Sequence, residues 1–139
     1  MGLVIASAMG AALYFGRQTL MQAYTHDAVI VAAAMPLLAW VILFHIADAA
    51  QTLASFTLRA YKMATVPVII YAAALWGVGL AGGYTIAFDT TGLSPPSLRG
   101  AQGFWAAATA GLTLAGIGLC TFLAWVLKQQ HPDRVTPPR

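Results

Sequence analysis

The sequence predicts an all-α, polytopic membrane protein with four transmembrane helices, and its composition and the spacing of its apolar stretches carry that prediction. Hydrophobic residues make up 60% of the 139 residues and charged residues only 8%. A water-soluble domain needs many more charged side chains to cover its core. The apolar residues form four stretches, each close to the roughly 20 residues that cross about 30 Å of hydrocarbon.

The first two stretches predict helices over residues 3–22 and 28–58. Arg17 places the far end of the first helix among lipid headgroups. Asp27 precedes the second helix and has the side chain of an N-cap. Pro36 lies inside the second helix, where a missing backbone hydrogen bond predicts a kink that neighbouring helices compensate.

The last two stretches predict helices over residues 66–88 and 103–127, so that residues 1–127 form the membrane region and residues 128–139 a polar cytoplasmic tail. Small residues in both helices allow helix backbones to approach closely. They are Gly77, Gly79, Gly82 and Gly83 in the third helix and Gly111, Ala115 and Gly116 in the fourth.

The distribution of Lys and Arg predicts the orientation in the membrane. Alternating the four helices places five of the seven cations on one side and two on the other, and the side richer in cations is normally cytoplasmic. We therefore expect a multi-pass protein of the inner (plasma) membrane with both termini in the cytoplasm. The larger group is Arg59, Lys62, Lys128, Arg134 and Arg139, and the smaller is Arg17 and Arg99.

Several function classes are not supported by the sequence. It contains no Gly-rich phosphate loop, no HExxH motif and no glutamate, so we expect no enzyme and no organic cofactor. The cations are scattered and form no basic stripe for nucleic acid. Cys120 is the only cysteine, which excludes an internal disulfide and a multi-cysteine metal site within one chain. Binding or transport is the better hypothesis.

Asp48 is the candidate functional residue, because an acid inside a hydrophobic helix costs about 3 kcal/mol on insertion scales. Four polar residues at helical spacing share its face of the helix. We interpret Asp48 as a cation-coupling residue that binds H⁺ or Na⁺, and we predict no other metal site. The supporting polar stripe consists of His45, Gln51, Thr52 and Ser55.

A structural interpretation of the same residues stays open. Asp48 would then only hydrogen-bond a neighbouring helix, with His45 and Gln51 as polar packing contacts. Three aromatic residues are also open to two interpretations, as contacts for an aromatic or cationic substrate or as packing residues. They are Phe44, Tyr71 and Trp76.

Short motifs lie in a fixed order along the predicted helices and the segments between them. They are YTHDAV at 24–29, FHIADAAQ at 44–51, LRAYK at 58–62, VP at 66–67, LWGVGL at 75–80, GY at 83–84 and GAQGFW at 100–105. In this order and spacing they resemble the multidrug and toxic compound extrusion (MATE) family, over about residues 10 to 128.

The resemblance implies a fold, a function and a site. Members of this family have twelve helices in two lobes, and this chain would supply helices nine to twelve of the C-terminal lobe. They export cationic or amphipathic compounds in exchange for H⁺ or Na⁺, and an acid on the tenth helix, here Asp48, contributes to coupling. Gln51 also keeps its place in the motif. The implied partners are the lipid bilayer, a small xenobiotic and the missing transporter helices, from the same gene or a separate chain.

Some positions depart from the family pattern, and they leave the coupling ion open. Two other functions also stay open: a small four-helix exporter, although such exporters depend on a glutamate in the first helix, and a non-transporting membrane subunit whose small-residue faces bind partner helices. The departures are His45 for glutamine, Phe56 and Ala60 for glycines, Met63 and Ala64 for an Asp-Thr pair, and Ala81 for a proline.

Overall fold

The computed structural model describes residues 1–129, and within that range it contains four long helices and no strand. This confirms the predicted all-α fold. Every helix begins and ends within about two residues of the bounds expected from the apolar stretches, a margin typical of helix ends. The helices are α1 (Gly2–Tyr24), α2 (Ala28–Ala60), α3 (Thr65–Ala87) and α4 (Ala101–Gln129).

Three of the helices, α2, α3 and α4, are long and apolar enough to cross a membrane. The 23-residue α1 is also long enough, but it is less apolar. Every eighteen-residue stretch of α1 contains both Arg17 and Gln18, which lowers its mean hydropathy. Of the four predicted transmembrane helices, α1 therefore has the composition least typical of a helix that crosses a membrane.

The predicted polar tail falls mostly outside the part of the chain that the structure describes. Lys128 and Gln129 still belong to α4. Residues 130–139 lie outside the described residues, and with them Arg134 and Arg139 of the predicted cytoplasmic cations.

Helix α2 begins at the predicted N-cap. Asp27 Oδ1 accepts hydrogen bonds from the backbone N–H groups of Val29 at 2.8 Å and Ile30 at 3.4 Å, which satisfies two of the free donors at the helix start. Helix α2 continues through Pro36 to Ala60. Its 33 residues span about 50 Å, so α2 is longer than the hydrocarbon layer is thick.

Helix α4 lies between α2 and α3 and holds them together, while α1 packs mainly against α2. Helices α2 and α4 run in the same direction, and α3 runs opposite to both. A buried hydrophobic cluster joins α2 to α4 and is formed by Ala54, Leu58, Leu119 and Val126. Most other apolar side chains stay exposed on the outside of the bundle, as expected for a protein in lipid.

The tightest contact between helices lies where Gly111 of α4 meets α3. A Cβ atom added to Gly111 would lie 2.8 Å from the carbonyl oxygen of Ala74 and 2.9 Å from the backbone nitrogen of Gly79. This part of α3, Ala73–Gly82, is a π-helix. A π-helical turn is wider than an α-helical one, since its hydrogen bonds join residues five apart. Gly77, by contrast, has no neighbouring atom within 4 Å and makes no close approach.

The segment between α3 and α4 is closed by an ion pair. The Arg99 guanidinium lies 2.6 Å from Asp89 Oδ2, and Asp89 Oδ1 accepts a hydrogen bond from the Ser94 backbone at 2.9 Å. Arg99 also donates to the Ser94 carbonyl. At the start of α4, a side chain on Gly103 would collide with the carbonyl of Leu98, so glycine is needed there.

We expect Gly111→Ala to destabilise the bundle, because the added methyl group meets backbone atoms of Ala74 and Gly79 that cannot rotate away. Overpacking of this kind costs about 1–3 kcal/mol of unfolding free energy. The fraction of protein that stays folded and monodisperse in detergent after heating measures the effect. Gly77→Ala is the matched control and should behave like the parent, since nothing lies near its Cβ position. Equal loss in both variants would contradict the packing argument.

Candidate cation site

A cleft of about 330 Å³ lies between α2 and the first turns of α3. Asp48 is at one end of it, and the other end lies at the connection between α2 and α3. Residues of α2 supply one wall: Asp48, Gln51, Thr52, Ser55, Phe56 and Arg59. Residues of α3 supply the other wall: Pro67, Val68 and Tyr71.

The polar residues of the cleft form a hydrogen-bonded row next to Asp48. Gln51 Nε2 donates to Ser55 Oγ at 3.1 Å, and Thr52 Oγ1 donates to Gln51 Oε1 at 3.2 Å. Ser55 is buried, and Gln51 and Thr52 are half-buried. The row follows one face of α2, because these positions repeat at the spacing of helical turns. It orients the Gln51 amide between Thr52 and Ser55.

The structure brings together three members of the predicted polar stripe and leaves one outside. Gln51, Thr52 and Ser55 line the cleft with Asp48, whereas His45 is not among the lining residues. His45 lies one turn nearer the start of α2, and the cleft ends at Asp48. The helical spacing placed His45 on the same face, but the cleft depends on where α3 packs along α2.

The Asp48 carboxylate is the one acid of residues 1–129 without a partner in that part of the chain. Asp27 caps α2 and Asp89 is paired with Arg99. The Asp48 side chain is half-buried and takes part in none of the hydrogen bonds or ion pairs formed among these residues. A carboxylate in a membrane helix normally has a partner or a function.

The oxygen atoms around Asp48 suit a proton or a small hard cation. Residues 1–129 contain no group of three or more His, Cys or acidic residues that could hold a metal ion. The cleft instead offers one carboxylate with hydroxyl and amide oxygens from Thr52, Ser55 and Gln51. Oxygen ligands of this kind bind hard cations.

Arg59 is a lining residue that the sequence analysis assigned only to membrane orientation. Its guanidinium lies 5.4 Å from the ring centroid of Phe56, which lines the same cleft. Positions 48 and 59 are three helical turns apart, so the helical period alone could have placed Arg59 on the Asp48 face. No local sequence pattern indicates which residues of α3 form the facing wall, because that wall depends on how α3 packs.

The three aromatic candidates occupy different environments. Tyr71 lines the cleft. Phe44 packs edge to face on Trp105 of α4, with ring centroids 5.7 Å apart, and so fills the interface between α2 and α4. Trp76 is 68% exposed on the outside of the bundle. Tyr71 is therefore the candidate that can meet a molecule bound at Asp48.

Comparison with known proteins places this bundle in a family. The family model described as MatE matches residues 1–85 of this chain, which is more than half of its length. Several bacterial proteins are similar over most of the chain. One is a probable multidrug resistance protein NorM of Aromatoleum aromaticum, 32% identical over 97% of this chain. Another is a probable NorM of Chromobacterium violaceum, 36% identical over 96% of it.

A third relative, the multidrug resistance protein PmpM of Pseudomonas aeruginosa, is 34% identical over 78% of this chain. The chain spans less than a third of the length of the curated relatives it matches: 29%, 28% and 22% of these three proteins. The match of the family model and the similarity to NorM proteins establish that this chain belongs to the MatE family, whose members are membrane transporters and not enzymes.

Proposed function

We propose that this chain is the C-terminal part of a multidrug efflux antiporter that exchanges H⁺ or Na⁺ for cationic or amphipathic compounds. The observation that carries the proposal is the Asp48 carboxylate, which lies in a polar cleft of a membrane helix and has no partner among residues 1–129. The family supports it, and so do relatives whose names describe multidrug resistance. The resemblance of the motifs supports a placement as helices nine to twelve.

The chemistry follows from the cost of a charged group in a membrane. A carboxylate without a cation is unfavourable in a site of low dielectric constant, so Asp48 favours the bound state of either a coupling cation or a cationic substrate. One negative charge attracts both, and binding of one therefore opposes binding of the other. Gln51, Thr52 and Ser55 supply further oxygen atoms for the bound cation.

Transport needs more than these four helices. Alternating access moves one half of a transporter against the other around a central site. This chain supplies one wall of such a site, and the facing helices come from the same protein or from a separate chain. The partners in this proposal are the lipid bilayer, the remaining transporter helices and a small xenobiotic.

The chain is a multi-pass membrane protein, and we propose the inner (plasma) membrane with the chain termini in the cytoplasm. Arg59, Lys62 and Lys128 lie at the bundle end where α2 and α4 finish. Arg99 at the other end is neutralised by Asp89, which increases the charge asymmetry between the two ends. Arg17 is then the remaining cation at that end, whereas Arg59, Lys62 and Lys128 form no ion pair among residues 1–129. This asymmetry favours the end with the three cations as the cytoplasmic one.

The packing gives less support to a subunit that only binds partner helices. Most of the small residues that would receive a partner are already used within the chain, and Gly77 and Gly82 are the ones that stay open. Gly111 meets Gly79, and a Cβ on Gly116 would lie 3.6 Å from the carbonyl oxygen of Ala47. Transport therefore remains the better explanation for Asp48.

We expect Asp48→Asn to reduce the efflux of a fluorescent cationic dye by roughly tenfold or more, because the amide can neither bind a proton nor attract a cation as a carboxylate does. Dye retention in cells that express the protein from its own gene measures the effect. An immunoblot checks the amount of each variant protein in the membrane. Asp27→Asn makes the same chemical change at the N-cap, where asparagine caps as well as aspartate. Asp27→Asn should keep normal efflux, and normal efflux in Asp48→Asn would refute the coupling role.

We also expect dye transport in membrane vesicles to respond to an imposed gradient of pH or of Na⁺, and the response to disappear in Asp48→Asn. The reason is that the coupling cation binds at Asp48 and moves down its gradient, and this movement drives the transport of the dye. Imposing each gradient separately and recording dye movement identifies the ion. Transport that ignores both gradients, or a gradient response that survives in Asp48→Asn, would show that coupling takes place elsewhere.

A further inference from the structure

Arg59 lies at the mouth of the Asp48 cleft. It is the next-to-last residue of α2, and the cleft there is bounded by Pro67 and Val68 in the first turn of α3. The axial distance from Asp48 to Arg59 is about 16 Å along the helix. A molecule or ion that moves along the cleft from this end of the bundle to Asp48 therefore passes the guanidinium group.

The guanidinium contacts an aromatic ring and forms no ion pair among residues 1–129. It lies 5.4 Å from the centroid of the Phe56 ring, within the range of a cation–π contact. Among residues 1–129 the one ion pair is Arg99–Asp89, at the opposite end of the bundle. Arg59 therefore places a full positive charge at the mouth of a cleft whose other end carries a negative charge.

The positive charge of Arg59 is close enough to the cleft to act on an ion that moves through it. Arg59 and Thr52, half way down the cleft, are about 10 Å apart along α2. That distance is near the screening length of physiological salt, and the helices on both sides lower the local dielectric constant. Lys62 and Lys128 belong to the same end but do not line the cleft.

We propose that Arg59 is a selectivity residue that makes this mouth of the cleft unfavourable for cations relative to anions of similar size. Cationic compounds then reach Asp48 from the side of the cleft that α2 and α3 leave open, and not through this mouth. This consequence for transport rests on the proposed function of Asp48. The charge selectivity of the mouth does not depend on it.

Thiol labelling tests the selectivity directly. In a Cys120→Ser background, Thr52→Cys places a thiol in the cleft, and Thr57→Cys places one on the exposed opposite face of α2, nearer the helix end. Two methanethiosulfonates of similar size, one with a quaternary ammonium group and one with a sulfonate, are added to sealed vesicles of each orientation. The rates are read from the label on each variant.

We expect Thr52→Cys to react faster than Thr57→Cys when the reagents reach the α2–α3 connection, although Thr57 lies nearer that end. Replacing Arg59 by glutamine should lower the ratio of sulfonate to ammonium rates at Thr52→Cys on the order of fivefold, as expected for a unit charge at about 10 Å. Arg59→Lys should keep the ratio. Lys62→Gln, which removes a charge outside the cleft, should also keep it.

An unchanged ratio in Arg59→Gln, or an equal fall in Lys62→Gln, would overturn the proposal, and so would an unreactive Thr52→Cys. Arg59→Met is a second neutral variant if Arg59→Gln fails to reach the membrane, since it keeps an apolar stem over Phe56. The labelling does not require transport. Normal efflux in Asp48→Asn, together with a lowered labelling ratio in Arg59→Gln, would therefore refute the proposed function alone. Lost efflux in Asp48→Asn, together with an unchanged ratio in Arg59→Gln, would refute this inference alone.

Discussion

The contact between Gly111 and the backbone of α3 is the interaction on which the rest of the bundle depends. Apolar side chains gain little from leaving lipid for another helix, so helices in a membrane associate through close packing of small residues and through polar contacts. Gly111 lets α4 reach the carbonyl of Ala74 and the backbone of Gly79. Because α4 also packs along α2, this contact fixes α3 relative to α2. The cleft between α2 and α3 exists as a result.

The cleft shows how a membrane helix can carry an acid. Asp48 lies on a face of α2 that continues as Gln51, Thr52 and Ser55, and these residues hydrogen-bond one another. Polar groups that satisfy one another are tolerated in an apolar environment, whereas isolated ones are costly. The row thus lowers the cost of polar side chains beside Asp48, and it does not include the Asp48 carboxylate itself. The charge that remains is the feature that binding of a cation would neutralise.

The two ends of the bundle differ in their electrostatics. At one end Asp89 and Arg99 close the loop between α3 and α4 through an ion pair. At the other end Arg59 lies over Phe56, without a partner among the described residues. An exposed ion pair contributes little long-range field, while a single fixed charge beside a cleft acts on every ion that passes. A protein that moves charged compounds across a membrane can use such a difference between its two ends.

The sequence by itself determined the helices, the N-cap at Asp27 and the face of α2 on which Asp48 lies. Chain length in hydrocarbon, capping chemistry and the helical period are local properties, and each can be read from neighbouring residues. Only the tertiary structure decided where the cleft ends. It excluded His45, included Arg59 and supplied Pro67, Val68 and Tyr71 as the facing wall. The relative height of two packed helices depends on contacts such as Gly111 with Gly79, which join residues far apart in the chain, and local patterns carry no information about it.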